Sequence, residues 1–188
     1  GMFQGRDAYQ KNVDALDFAP ERIDFVLLSH AHIDHCGLLP RLCARGFKGP
    51  IFTTSATADL LAIMLTDSAH IQESEANWLK RHPKLERRLH SKRRARAEPL
   101  YNLVQALASL QQVRGVSYRS EFHPHANVRC VFQDAGHILG SAIVEIWLGQ
   151  PGTPPKKLVF SGDLGQPGRP VVNDPTPIAH ADVLLVES

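Results

Sequence analysis

The sequence predicts an α/β fold, and three observations carry that expectation. A strand, helix, strand unit spans residues 23–53, amphipathic helices fill the middle of the chain, and after Gly115 the pattern changes to period-two and apolar runs that read as sheet. With 188 residues, 43% hydrophobic and 21% charged, the chain is long enough for one domain with a real core.

Ile23 to Leu28 and Ile51 to Thr53 are short apolar or β-branched runs suited to strands, and they flank a helix expected from Cys36 to Arg45 that Gly46 ends. Ser55 fits the N-cap of a helix with Leu60, Leu61, Met64 and Leu65 on one face. Further helices are expected around Glu73 to Lys80 and from Pro99 to Leu110. Strands follow at Val116 to Arg119, Val128 to Phe132, Ala142 to Leu148, Leu158 to Phe160 and Val183 to Val186, with turn-rich stretches at Gly149 to Pro155, Gly165 to Pro170 and Asn173 to Pro177. The last strand is expected to be buried, with nothing after it to cap it, so both ends of the chain read as cut.

Composition narrows the function classes. Cys36, Cys43 and Cys130 are odd in number and show no C-x-x-C spacing, which argues against a disulfide framework or a thiolate zinc site and points to a reducing interior. The chain shows neither a charged leader with an apolar stretch nor a run of about 18 apolar residues, so a cytoplasmic protein with no membrane association is expected. The net charge of +2 implies no partner by itself, but Lys80 to Arg96 carries nine Lys or Arg against one Glu. Such a run can neutralise phosphates, and a solvated helix hairpin or linker would look the same.

The decisive motif is His30-Ala31-His32-Ile33-Asp34-His35, four ligand-bearing side chains within six residues directly after an apolar run. Imidazole and carboxylate suit Zn²⁺ and its neighbours, and a strand end can aim alternate side chains at one point. His30 and His32 point the same way if the backbone stays extended, whereas Asp34 and His35 reach a second point only after a turn, so two adjacent metals are a natural solution. Further ligands are expected from His137 and Asp163, each just past an apolar run and flanked by glycines that let the backbone pass close.

At these residues the chain resembles the metallo-β-lactamase superfamily, whose pattern is H-x-H-x-D-H, a distant His and a distant Asp. Asp67-Ser68-Ala69-His70-Ile71-Gln72, the stretch Gly136 to Ala142 and the final Val186-Glu187-Ser188 further resemble the β-CASP branch of RNA- and DNA-processing nucleases. The resemblance implies a four-layer αββα sandwich, incomplete here, with residues 1–186 as a partial metallo-β-lactamase domain and 187–188 opening a β-CASP segment. It implies His30, His32 and His137 around one zinc, Asp34 and His35 around the other, and Asp163 bridging, with two zinc ions in the full-length family and one or two in this chain. Glu187 would be the acid that supports a histidine lying beyond the sequence, and Gly1 to Gly5 resembles the segment after the family's first conserved Asp. The resemblance makes Asp34, Asp163 and Glu187 the expected residues of the chemistry, which would be hydrolysis of nucleic-acid phosphodiesters, RNA favoured, by a hydroxide generated on two zinc ions.

Two alternatives stand beside that reading: a small-molecule hydrolase of the same superfamily, and a non-catalytic metal-binding fragment. Exposed apolar edges invite a homodimer. His123-Pro124-His125 copies the H-x-H spacing but reads as a solvated loop, His70 and His180 as packing or capping groups, and Ser141 as a small residue behind His137. Cys36 is expected to begin a helix as core.

Overall fold

The computed structural model describes residues 1–5, 8–82, 98–150 and 152–187. Within the basic run only Lys80, Arg81 and His82 are among them, so residues 83–96 of that run lie outside the described residues. Two compact units share the chain: Gly1–Ile23, His32–Lys48 and Leu61–Gln112 form one, and Asp24–Ala31, Gly49–Leu60 and Val113–Ser188 form the other.

The second unit holds both sheets. In the smaller, β1 (Val26–Leu27), β2 (Ile51–Thr54) and β3 (Val113–Val116) run parallel, with Val26 opposite Ile51 and Ile51 opposite Val113. In the larger, β4 (Glu121–His125), β5 (Val128–Asp134), β6 (Ala142–Gln150) and β7 (Thr153–Phe160) are antiparallel neighbours, and β8 (Val183–Leu185) joins β7 in parallel. Alternate residues of the two sheets meet in one core, where buried Phe132, Ala142 and Val144 pack with Leu27, Phe52 and Val116 from the small sheet and Phe122, Ile146 and Phe160 from the large one. Tilted ring pairs run through it, Phe52 to Phe122 at 5.1 Å and Phe122 to Phe132 at 5.0 Å. Each such side chain contributes about 1.5–3 kcal/mol when fully buried, which makes this core the main attraction between the sheets.

The first unit is helical: α1 (Ala8–Asp14), a 3-10 turn (Pro20–Arg22), α2 (Ile33–Cys36), α3 (Leu39–Ala44), most of α4 (Ser55–Arg81) and α5 (Leu103–Leu110). Leu61, Leu65, Ala69, Gln72, Ala76 and Leu79 of α4 are buried at spacings of three and four, one face of a helix. Polar groups on that face are used: Ser68 Oγ accepts from Tyr101 Oη at 2.8 Å and from Gln72 Nε2 at 3.1 Å, while Gln72 Oε1 accepts from the Leu100 amide at 3.0 Å. Asn102 opens α5 with a capping box closed by Gln105.

Several expectations are corrected. The first strand is shorter than Ile23 to Leu28, and the helix expected from Cys36 is two pieces, the first starting at Ile33 inside the motif so that Cys36 ends it. The helices placed near Ser55 and near Glu73 are one, since nothing between Ile71 and Glu73 breaks the turn. Val116 to Arg119 is not a strand; Val116 ends β3, and Arg119, at φ 62°, lies in the turn that follows. His123 to His125 lies in β4 rather than a loop, with a register irregularity between Phe122 and His125 that accommodates Pro124 at the sheet edge. The final strand is an exposed edge: Val183 is 49%, Leu184 58% and Leu185 50% accessible.

Candidate metal centre

Three strand ends of the sheet unit deliver the site. Beyond β1, the Leu28 amide donates to Phe52 O at 2.9 Å, and Ser29 O accepts from the Ala142 amide at 2.9 Å, so the chain reaches His30 tied on both sides. His30 is fully buried, and its Nδ1 lies 3.1 Å from Ser29 Oγ, which leaves Nε2 facing Asp163. His137 sits in the loop from β5 to β6. There Ser141 Oγ accepts from the His137 and Ile138 amides at 3.0 and 3.2 Å, as a buried hydroxyl behind the imidazole and not a nucleophile.

Asp163 follows β7 after Gly162, which adopts φ +52° and whose missing Cβ would lie 2.9 Å from Ser29 Cβ. A side chain there would push the β7 end off the His30 segment. Asp163 Oδ2 lies 3.3 Å from His137 Nε2 and 3.7 Å from His30 Nε2, and the two imidazoles meet edge to face at 5.2 Å. Glu187 extends the acidic side: its amide donates to Ser161 Oγ at 3.0 Å, and it offers a carboxylate oxygen within 4.8 Å of one on Asp163.

Two imidazole nitrogens and a carboxylate oxygen, all within 4.8 Å of one another, are the donor set a zinc-like divalent ion takes. A second carboxylate beside the first adds like charge that a cation relieves. The residues present therefore fit a metal.

The remaining motif residues, His32, Asp34 and His35, lie in the helical unit, in its segment His32–Lys48. His32 is the N-cap of α2, and its carbonyl accepts from the His35 and Cys36 amides at 3.0 and 2.9 Å. Asp34 and His35 share that helical turn, with His35 Nε2 3.8 Å from Asp34 Oδ2. Cys36 is fully buried, and burial pushes its thiol up to about 12, so it is a core group.

Residues 1–53 match the metallo-beta-lactamase superfamily. Over 187 residues, all of this chain and 36% of the relative, the sequence is 33% identical to Ribonuclease TTHA0252 of Thermus thermophilus. The chain belongs to the metallo-β-lactamase superfamily.

Within the superfamily it falls in the β-CASP branch that its motifs resemble. An RNase J-like protein of Methanocaldococcus jannaschii is 29% identical over 88% of this chain and 31% of its own length, and the transcription termination factor FttA of the same organism is 27% identical over 80% and 20%. The chain thus spans about a third or less of these relatives. In fold it is similar to a metallo-β-lactamase HARLDQ-motif mutant of Cronobacter sakazakii, with a TM-score of 0.51 at 20% identity over 97% of this chain and 64% of that one. The two sheets and the helices are those of an incomplete metallo-β-lactamase sandwich.

Among the described residues four histidines that the sequence set aside stay outside the site. His70, His123, His125 and His180 are exposed, and among the described residues none joins a cluster of three or more metal-donor side chains. Sequence reasoning passed over Ser29, Thr54, Thr57, Tyr118 and Ser161, hydroxyls bound to the segments that carry ligands. For Ser29, Thr54 and Ser161 the signal was a Ser or Thr at a strand end, too common to single out alone, and Thr57 and Tyr118 carried none. Among the described residues no helix is long and apolar enough to cross a membrane.

Proposed function

We propose that this chain carries the hydrolytic core of a metal-dependent nuclease that cleaves phosphodiester bonds, with RNA favoured over DNA and zinc as the resident metal. His30, His32 and His137 would hold one ion, Asp34 and His35 a second, and Asp163 would be shared. The observation that carries the reading is the convergence of His30, His137 and Asp163 from three separate strand ends. Ribonuclease and RNase J-like names among the relatives favour nucleic acid over a small molecule as substrate.

When bound, such an ion supplies a water ionised near neutral pH and stabilises charge on the phosphoryl oxygens. The chain's own groups do the rest. Ser29 against Nδ1 orients the His30 ring and selects which nitrogen faces the metal, as outer partners of metal-binding histidines do. Burial of His30 keeps bulk water from that side of the site. Asp163 presents a carboxylate to both imidazoles, and Glu187, with a carboxylate oxygen within 4.8 Å of one on Asp163, would hold a proton-carrying partner group.

The test is metal analysis of the full-length protein purified without chelators, paired with cleavage of a labelled single-stranded RNA. Bound zinc and cleavage, both abolished in Asp163→Ala, are expected. A metal-free wild type, or cleavage that survives Asp163→Ala, overturns the reading.

A further inference from the structure

We infer that Thr57, assisted by Thr54 and Tyr118, is a positioning residue for the ligand His137, an inference that rests on the metal reading above. The loop from Ala135 to Ser141 is held from beneath by side-chain hydroxyls. Thr54 Oγ1 and Thr57 Oγ1 both donate to Gly140 O, at 2.6 and 2.8 Å, and both threonines are buried, at 2% and 0% exposure. One carbonyl thereby has both lone pairs filled by side chains, which fixes the plane of its peptide. Gly140 sits at φ +83°, with space for a Cβ closed by the Thr57 amide at 2.6 Å. The threonines therefore set how close the loop comes.

The constraint passes to the ligand through one residue. Ser141 follows the clamped carbonyl; its amide donates to Ile138 O at 3.0 Å, and its hydroxyl receives the His137 amide. On the other side Tyr118 Oη donates to Ser141 O at 2.7 Å; burial, reinforced by the charge of Asp134, pushes the phenol up and keeps it a neutral donor. The hydroxyls touch no metal ligand atom. They hold the backbone from which His137 aims its Nε2 at Asp163.

A hydroxyl that only staples the two ends together would cost stability when removed and leave metal affinity alone. Thr57→Val separates the roles, because it keeps shape and leaves intact the helix cap in which Thr54 Oγ1 accepts from the Thr57 amide at 3.2 Å. In a zinc competition titration of the full-length protein against a chromophoric chelator, well below the melting temperature, Thr57→Val is expected to weaken zinc binding about tenfold. Thr57→Ser, which keeps the hydroxyl, restores it, and Ile146→Val in the inter-sheet core lowers the melting temperature without moving zinc affinity. Wild-type zinc affinity in Thr57→Val, whatever its melting temperature, overturns the inference. Should that variant not fold, Tyr118→Phe is read in the same titration, with weaker binding expected and unchanged binding overturning it. A wild type that takes up no zinc fails the metal reading itself, and the positioning role falls with it.

Discussion

His30-Ala31-His32 and His123-Pro124-His125 have the same spacing in sequence and opposite surroundings. His30 leaves the end of a parallel strand with its ring fully buried and its Nε2 facing Asp163, in reach of an imidazole from a second strand end. His123 stands on the edge strand β4 with a side chain 56% exposed, and faces the Glu121 carboxylate at 3.7 Å. A metal site comes from convergence, and convergence needs strands that end at one place with small residues to let them close. Spacing within one strand supplies two donors at most.

The sharpest way to break the contrast is to remove a proposed ligand from the convergent side. His137→Ala takes away one of two imidazoles facing Asp163, and zinc affinity is expected to fall more than about 100-fold, beyond what loss of an outer partner costs. RNA cleavage should vanish with it. Chelator competition and labelled RNA check both, and a variant that retains wild-type zinc content would dissolve the distinction between the two histidine pairs.

Next in size is the backbone that permits the approach. Gly140 and Gly152 have nearly the same left-handed conformation, φ +83° and +81°, but a Cβ on Gly140 meets Thr57 while one on Gly152 meets nothing within 4 Å. Gly152→Ala, in the β6–β7 turn, should cost about 1 kcal/mol for its backbone conformation alone. Gly140→Ala should cost about 2–4 kcal/mol, because backbone must move as well, and should weaken zinc binding. Equal costs in urea denaturation would mean that the loop is not held against Thr57.

That His30, His137 and Asp163 come together was legible beforehand. His137 and Asp163 could be read as ligands because each follows an apolar run and has a glycine beside it, features a strand end needs if it is to approach another. The errors share a cause: they depend on what lies across from a segment. Pro124 read as a loop because it cannot donate to a ladder, yet an edge strand leaves that position unpaired. Gly115 read as a break before a strand, whereas it lies inside β3 where a Cβ would come within 3.1 Å of Ser55 Cα, a close approach of helix to sheet. Val183 to Val186 looked buried because apolar runs report the preference of side chains and not what covers them.

A smaller effect tests whether the second pair is inert for want of order. Cys130 lies opposite Phe122, next to His123, and burial pushes its thiol from 9.0 up to about 12. An unfolded thiol ionises first, so this group's contribution to stability is intact below about pH 9 and is lost as pH rises toward 12, by at most about 1.4 kcal/mol per pH unit. At pH 8 the native thiol should resist iodoacetamide and react fully in denaturant, as read by mass spectrometry. Rapid native labelling would mean that β4 and β5 open, and that the second pair is loose rather than well placed and unused.

The smallest expected change completes the contrast. His123→Ala removes an exposed ring from Glu121, which keeps Arg129 Nη1 at 2.7 Å, and His125→Ala removes another exposed ring from the same edge. Exposed pairs of this kind contribute about 0–1 kcal/mol, so the double variant should unfold within about 0.5 kcal/mol of wild type. Its zinc affinity and RNA cleavage should be indistinguishable from those of the unaltered protein. A fall in either would place a ligand on the large sheet's edge and count against convergence as what selects the proposed metal site.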